Sequence, residues 1–195
     1  MKKPALILAS TSTFKQKQLT QLCLNFDVFD PEIEEEHPES TPPETLAIEL
    51  AASKAIAASA TFAESWVIGS DQTAVTESGL LLTKPITEGK AFDQLSACQG
   101  QKARFYSAVC LINKSKNISR KWSVTTEVEF RQLSSEEIRR YIKKDEPLYC
   151  AGSFKIESLG ISLFNAVRSE DPSALIGLPL ISLSQELRSI GLLVP

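Results

Sequence analysis

The sequence predicts an α/β fold built on a mixed β-sheet, and three observations carry that prediction. Two short apolar runs, Leu6–Ala9 and residues 66–69, read as buried strands. Trp122, Val124, Thr126, Val128 and Phe130 alternate with other residues, the pattern of a half-buried strand. Between these runs lie segments with apolar residues at helical spacing, so strands and helices alternate loosely. The chain has 195 residues, 43% hydrophobic and 23% charged, which is ordinary globular composition and fits one domain over 1–195. A chain of this length buries about 70% of its unfolded surface and needs no metal or disulfide staple.

The elements follow in order. Leu6–Ala9 runs into Ser10-Thr11-Ser12, which caps a helix expected to reach Leu24 with Leu19, Leu22 and Cys23 as its inner stripe. Residues 31–43, PEIEEEHPESTPP, form a loop, because prolines 38, 42 and 43 break both helix and sheet ladders. Thr41-Pro42-Pro43-Glu44 has the capping-box pattern with proline at the first helical position, opening an alanine-rich helix to about Ala60. The strand at 66–69 is expected to close at Ser70-Asp71-Gln72, and residues 73–82 read as a strand pair around Gly79. Residues 87–99 carry Ala91, Leu95 and Cys98 on one helical face and stop at Gly100. Residues 105–112 are a strand, followed by the alternating one that ends at Phe130. Ser134-Ser135-Glu136-Glu137 caps a helix with Ile138, Tyr141 and Ile142 inside, and Leu180, Leu183, Leu187 and Ile190 line a last one.

Charge and cysteine content narrow the function. With 21 Lys+Arg against 24 Asp+Glu, the net charge of -3 argues against nucleic-acid polymers and anionic membranes as partners. It leaves room for a small anion held by a few lysines. The four cysteines lie far apart and His37 is the only histidine, so a zinc site is not expected and the cysteines read as buried apolar residues. The longest uncharged stretch, 172–185, has 14 residues, short of the ~18 that span a bilayer. No signal-type apolar region follows Lys2-Lys3, so a cytoplasmic location is expected.

Four features can carry chemistry. Ser10, Thr11, Ser12 and Lys15 sit where a strand meets a helix N-terminus, which suits either a bound phosphate or simple capping by Ser12. Asp71, just past a buried strand, is either a ligand-facing carboxylate at a sheet edge or a turn aspartate. Glu32, Glu34, Glu35 and Glu36 could hold a hard divalent cation or form a solvated acidic loop. Lys54, Lys84 and Lys155 are either anion contacts or, each taken alone, surface lysines. A buried histidine base is not expected beside Pro38, which counts against Ser-His or Cys-His nucleophilic catalysis.

Taken in order, LASTSTFK, PEIEE, SKA, GSDQT, TKP, CAGSFKIE and LIGLPLISL resemble the Maf family of nucleoside triphosphate pyrophosphatases. The similarity runs from Leu6 to Leu187, and CAGSFKIESLGISLF with GSDQ looks like the branch acting on 7-methyl-GTP. The resemblance implies an elongated mixed α/β fold with a deep central cleft, like that of ITP pyrophosphatases. It implies hydrolysis between the α- and β-phosphates with a divalent metal cation, Mg²⁺ or Mn²⁺, as house-cleaning of modified nucleotides. Carried over by position, it makes Asp71 catalytic, puts Glu35 and Asp71 on the metal, and puts Ser10, Lys15, Lys54 and Lys84 on the phosphates. Phe14, Gln72 and Glu157 fall where the family's branches differ.

Two positions depart from the family pattern. Lys15 stands where arginine is usual, giving a point charge in place of a two-pronged contact. Glu34 stands where aspartate is usual before Glu35. The competing readings are a dTTP/UTP-type pyrophosphatase and a non-catalytic nucleotide-binding regulator of septum formation. Family members often pair as homodimers, although no residue here demands it.

Overall fold

The computed structural model describes residues 6–33, 40–192 and 194. Among these, one six-stranded sheet has the order β2-β1-β3-β4-β5-β6. Its strands are β1 (Leu6–Ala9), β2 (Asp27–Phe29), β3 (Trp66–Thr76), β4 (Lys102–Asn113), β5 (Ile118–Phe130) and β6 (Phe164–Ser169). β1 runs parallel to both β2 and β3, whereas β3, β4, β5 and β6 pair antiparallel, so the expected mixed α/β sheet is present. The helices are α1 (Thr13–Thr20), α2 (Pro43–Thr61), α3 (Glu88–Cys98), α4 (Ser135–Asp145) and α5 (Leu180–Ser189). Among the described residues, no helix is long and apolar enough to cross a membrane.

The period-two alternation of a strand sends neighbouring side chains to opposite faces, and each face meets a different layer. Ile7, Ala9, Val67, Ala108 and Cys110 pack against Ala47, Ala51, Ala55 and Ala58 of α2. Leu6, Leu8, Ile68, Val109 and Leu111 pack against Leu19 of α1 and Leu183 and Leu187 of α5. Burial of each such leucine contributes roughly 1.5–3 kcal/mol. Towards the far end of β4 and β5, Phe105, Phe130 and Phe154 form a third cluster with Leu95, Ile138 and Ile142 of α3 and α4. Phe154 meets both Phe105 and Phe130 edge to face.

Several expectations need correction. β3 does not close at Ser70; it runs to Thr76, 11 residues in all, with Ser70, Asp71 and Gln72 paired to Val109, Ala108 and Ser107. These turn-forming residues remain in a strand because distant partners satisfy each side chain, as described below. The strand pair expected over 73–82 reduces to the end of β3 and a single bridge between Val75 and Leu81. Helix α1 stops at Thr20 rather than Leu24, its last turn tightening through Leu22 N–H to Leu19 O and Cys23 N–H to Thr20 O. Cys23 then takes a left-handed φ of 53° and is exposed, so neither the inner stripe nor the expectation of buried cysteines holds there. Pro42, not Thr41, is the residue before α2, with no side-chain cap; Glu44 instead accepts from Ser123 Oγ at 2.5 Å. The strands β2 and β6, three and six residues long, have no counterpart among the expected elements.

Candidate active site

The site begins with close packing between α2 and β3. Gly69 faces α2, and a Cβ there would stand 2.1 Å from the Ala51 carbonyl oxygen. Two residues on, the same strand face presents Asp71. Lys54, beside Ala55 on α2, donates from Nζ to Asp71 Oδ1 at 2.7 Å. Two further on, Thr73 Oγ1 donates to the Pro43 carbonyl at 2.6 Å. Glycine and alanines thus let the helix approach, and the approach brings ammonium and carboxylate together.

The opposite face holds a loop. Ser70 Oγ donates to the Gly177 carbonyl at 3.1 Å. Gln72 Nε2 donates to Ser107 Oγ at 2.8 Å and to the carbonyls of Ala174 and Leu175 at 3.2 and 3.1 Å. Gln18 of α1 clamps the same loop, donating to Ser173 O and Leu178 O and accepting from Leu178 N–H. Asp171, 2% exposed, accepts from Ser173 N–H and Oγ and from Ile181 N–H at the start of α5. Sequence reasoning did not single out Gln18 or Asp171. The signal available for Asp171 was Asp-Pro-Ser, a turn-initiating run two residues before the loop.

The β1–α1 junction supplies the third wall. Ser12 Oγ accepts from Lys15 N–H at 3.4 Å, and Ser10 Oγ accepts from Ser12 N–H at 3.3 Å. The Lys15 side chain is buried, donating from Nζ to the Ser70 carbonyl at 2.8 Å. Gly177, with φ of 140°, lies against its stem: a Cβ there would meet Lys15 Cε at 3.1 Å.

These walls enclose a cleft of about 550 Å³. Ser10, Phe14, Lys15, Lys54, Asp71, Gln72, Lys84 and Glu157 all line it, so residues far apart in sequence share one hollow. Asp30, Glu32, Tyr149 and Cys150 also line it. Lys155 does not; its Nζ makes a short hydrogen bond to the Asp145 carbonyl. Glu34, Glu35 and Glu36 lie outside the described residues. The Gln72 amide nitrogen is committed to the 174–175 loop. Burial, and then the Glu157 charge, push the Cys150 thiol up to about 11. Cys150 therefore stays protonated near neutral pH, which leaves it a poor nucleophile.

The model of the Maf family, described as Maf-like protein, matches residues 5–190. This chain belongs to the Maf family. It is 46% identical over 192 residues to the 7-methyl-GTP pyrophosphatase of Xanthomonas axonopodis pv. citri (strain 306), spanning 98% of this chain and 100% of that one. Identity to the 7-methyl-GTP pyrophosphatase of Hahella chejuensis is 45% over 193 residues, spanning 98% and 96%. Among solved structures, a HAM1 protein from Coxiella burnetii has a TM-score of 0.49 at 15% identity, covering 94% of this chain and 98% of that one.

The oxygen donors of this Maf-family cleft suit a hard divalent cation. Among the described residues, no three His, Cys, Asp or Glu side chains cluster in a metal-holding arrangement. Mg²⁺-type ions are commonly held by one or two carboxylates together with substrate phosphates. Asp71, in a cleft also lined by the hydroxyls of Ser10 and Thr11, fits that donor set for an ion arriving with a nucleotide.

Proposed function

We propose that this Maf-family chain is a nucleoside triphosphate pyrophosphatase whose substrate is 7-methyl-GTP, cleaved to the nucleoside monophosphate and pyrophosphate. The observation that carries the reading is the shared cleft. It joins the Lys54–Asp71 pair and two further lysines to an aromatic ring, Phe14, and a carboxylate, Glu157. Its volume lies in the range of small-molecule sites. Relatives that cover 95–98% of the chain at 41–46% identity bear the name of this enzyme.

A nucleoside triphosphate brings about four negative charges near neutral pH, far more than one helix terminus offsets. Lys15, Lys54 and Lys84 meet part of this charge along the cleft. A divalent cation such as Mg²⁺ or Mn²⁺, when bound, would offset more of it and would lower the cost of forming hydroxide. Asp71 would hold it with the substrate's own phosphate oxygens, and Glu35 stays assigned to it on the sequence resemblance. Lys54 fixes the orientation of the Asp71 carboxylate. Asp71 takes the proton of a water as its oxygen bonds to the α-phosphorus. The bond from that phosphorus to the bridging oxygen breaks, and its electron pair leaves with pyrophosphate. Proton transfer of this kind is typically worth about 10²–10⁴ in rate.

Methylation at N7 makes guanine cationic. An aromatic face attracts a cation by roughly 0.5–2 kcal/mol, which suits Phe14. Glu157 accepts from the ring N1–H and the exocyclic amine and favours the positive ring. Thymine and uracil place acceptors on both sides of one N–H, and a carboxylate repels them. The role is house-cleaning of modified nucleotides in the cytoplasm.

The test is pyrophosphate release from 7-methyl-GTP, GTP, dTTP and UTP with Mg²⁺ or Mn²⁺. The expected outcome is fastest release from 7-methyl-GTP. Faster release from dTTP or UTP moves the chain to the other branch. Binding without release makes it a regulator.

A further inference from the structure

Asp145 combines features that work against stability. It is the last residue of α4 and only 8% exposed. A carboxylate at a helix C-terminus faces the negative end of the dipole. Its carboxylate is buried beside the Tyr141 hydroxyl, whose pKa it helps to raise after burial itself. Burying a carboxylate costs free energy that its hydrogen bonds must offset. Glu146, which follows, takes a left-handed φ of 45° without being glycine.

The remaining atoms of Asp145 serve one purpose. Its Oδ1 accepts from Ser158 Oγ at 2.5 Å. Its main-chain carbonyl accepts from Lys155 Nζ. One helical turn earlier, the Tyr141 hydroxyl accepts the Lys155 N–H at 3.1 Å. The turn is closed internally, because Lys155 O accepts from the N–H groups of Ser158 and Gly160 at 3.2 and 3.0 Å. A Cβ at Gly160 would stand 2.4 Å from that same oxygen. Lys155 and Ser158 flank Glu157, which carries no hydrogen bond to α4 of its own among those described and lines the cleft.

We infer that Asp145 is a positioning residue that grips the chain on both sides of Glu157 and so sets the carboxylate that recognises the base. The inference rests on Glu157 reading the base, as proposed above. The end of α4 acts as a fixed post. The 155–158 turn is held to it by one side-chain contact, one main-chain contact and the Tyr141 hydroxyl. A loop-borne specificity group must be held within a fraction of an ångström, and the acceptor oxygens of this post supply that hold.

Steady-state kinetics with 7-methyl-GTP and GTP test this on four variants. Asp145→Ala and Ser158→Ala are expected to lower the ratio of kcat/KM for 7-methyl-GTP over GTP about ten-fold, mainly through KM, the size of one lost hydrogen bond to a charged group. Asp145→Asn keeps an acceptor for Ser158 Oγ and is expected to restore the ratio. Glu157→Gln is measured alongside. If it shifts the ratio while Asp145→Ala and Ser158→Ala do not, the positioning role is overturned and base reading by Glu157 stands. If Glu157→Gln leaves the ratio unchanged, base reading falls and the positioning role with it. An equal loss on both nucleotides in Asp145→Ala and Ser158→Ala is a general structural effect and overturns the inference. Ser158 is exposed, so its variant reads the contact even where Asp145→Ala fails to fold.

Discussion

Lys54 Nζ lies 2.7 Å from Asp71 Oδ1, with the two side chains only 13% and 15% exposed. The contact spans 17 residues of sequence and two elements, α2 and β3. Its cause is upstream of both residues: the alanine face of α2 and the bare Cα of Gly69 let helix and strand approach until the side chains meet.

Replacing Asp71 with Asn keeps the shape and an oxygen for Lys54 but removes the base. We expect Asp71→Asn to lower kcat by about 10²–10⁴ or more, with an unchanged circular dichroism spectrum. Near-normal pyrophosphate release would refute the role of Asp71.

Gly69→Ala places a methyl group where the Ala51 carbonyl already stands. Overpacking of this kind costs about 1–3 kcal/mol. The obstacle is helix backbone, so α2 must shift and carry Lys54 away from Asp71. A lower Tm together with a lower kcat is expected, measured by thermal denaturation and initial rates. A drop in Tm alone would show that the pair tolerates the displacement.

Gln72→Glu removes the donor that serves two loop carbonyls. A carboxylate cannot donate; Ala174 O keeps Ser107 Oγ and the Gly177 N–H, whereas Leu175 O loses its donor, which costs about 1–3 kcal/mol. Faster amide hydrogen exchange over 173–178 is expected, because this loop forms one wall of the cleft. Unaltered exchange there would show that Ser107 and Gln18 hold the loop without Gln72.

Glu137 gives a pH signature of folding. Its carboxylate accepts from Ser134 N–H at 2.7 Å and pairs with Arg131, which lower it from an ordinary 4.5 to about 2. A depressed folded value means that the contribution is complete above about 4.5 and is lost as pH falls towards about 2. The Tm gap between the protein and Glu137→Gln should therefore be widest above pH 4.5 and close towards pH 2. A gap that does not change over that window would contradict the assignment.

The legible parts of the fold were those specified by neighbours in sequence. The β1–α1 junction, the capping box at Ser134 and Glu137, the inner faces of α3 and α5 and the alternation in β5 all depend on residues a few positions apart. β3 runs past its expected stop because the turn chemistry of Ser70-Asp71-Gln72 is only local. Its partners at Gly177, Lys54 and Ala174 lie 107, 17 and 102 residues away. The same long separations hid the loop role of Gln72 and the clamp made by Gln18 and Asp171. Of the nine candidate site residues named from ordered motifs, eight line one cleft and Glu35 lies outside the described residues. Asp145 left no local sign, since its importance lies in what it grips across the 155–158 turn.

Hydrolysis of 7-methyl-GTP in ¹⁸O-labelled water, with both products analysed by mass spectrometry, reads the central claim directly. Attack by an Asp71-activated water on the α-phosphorus puts the label on the nucleoside monophosphate and leaves the pyrophosphate unlabelled. Label in pyrophosphate, or release of single phosphate, would contradict it.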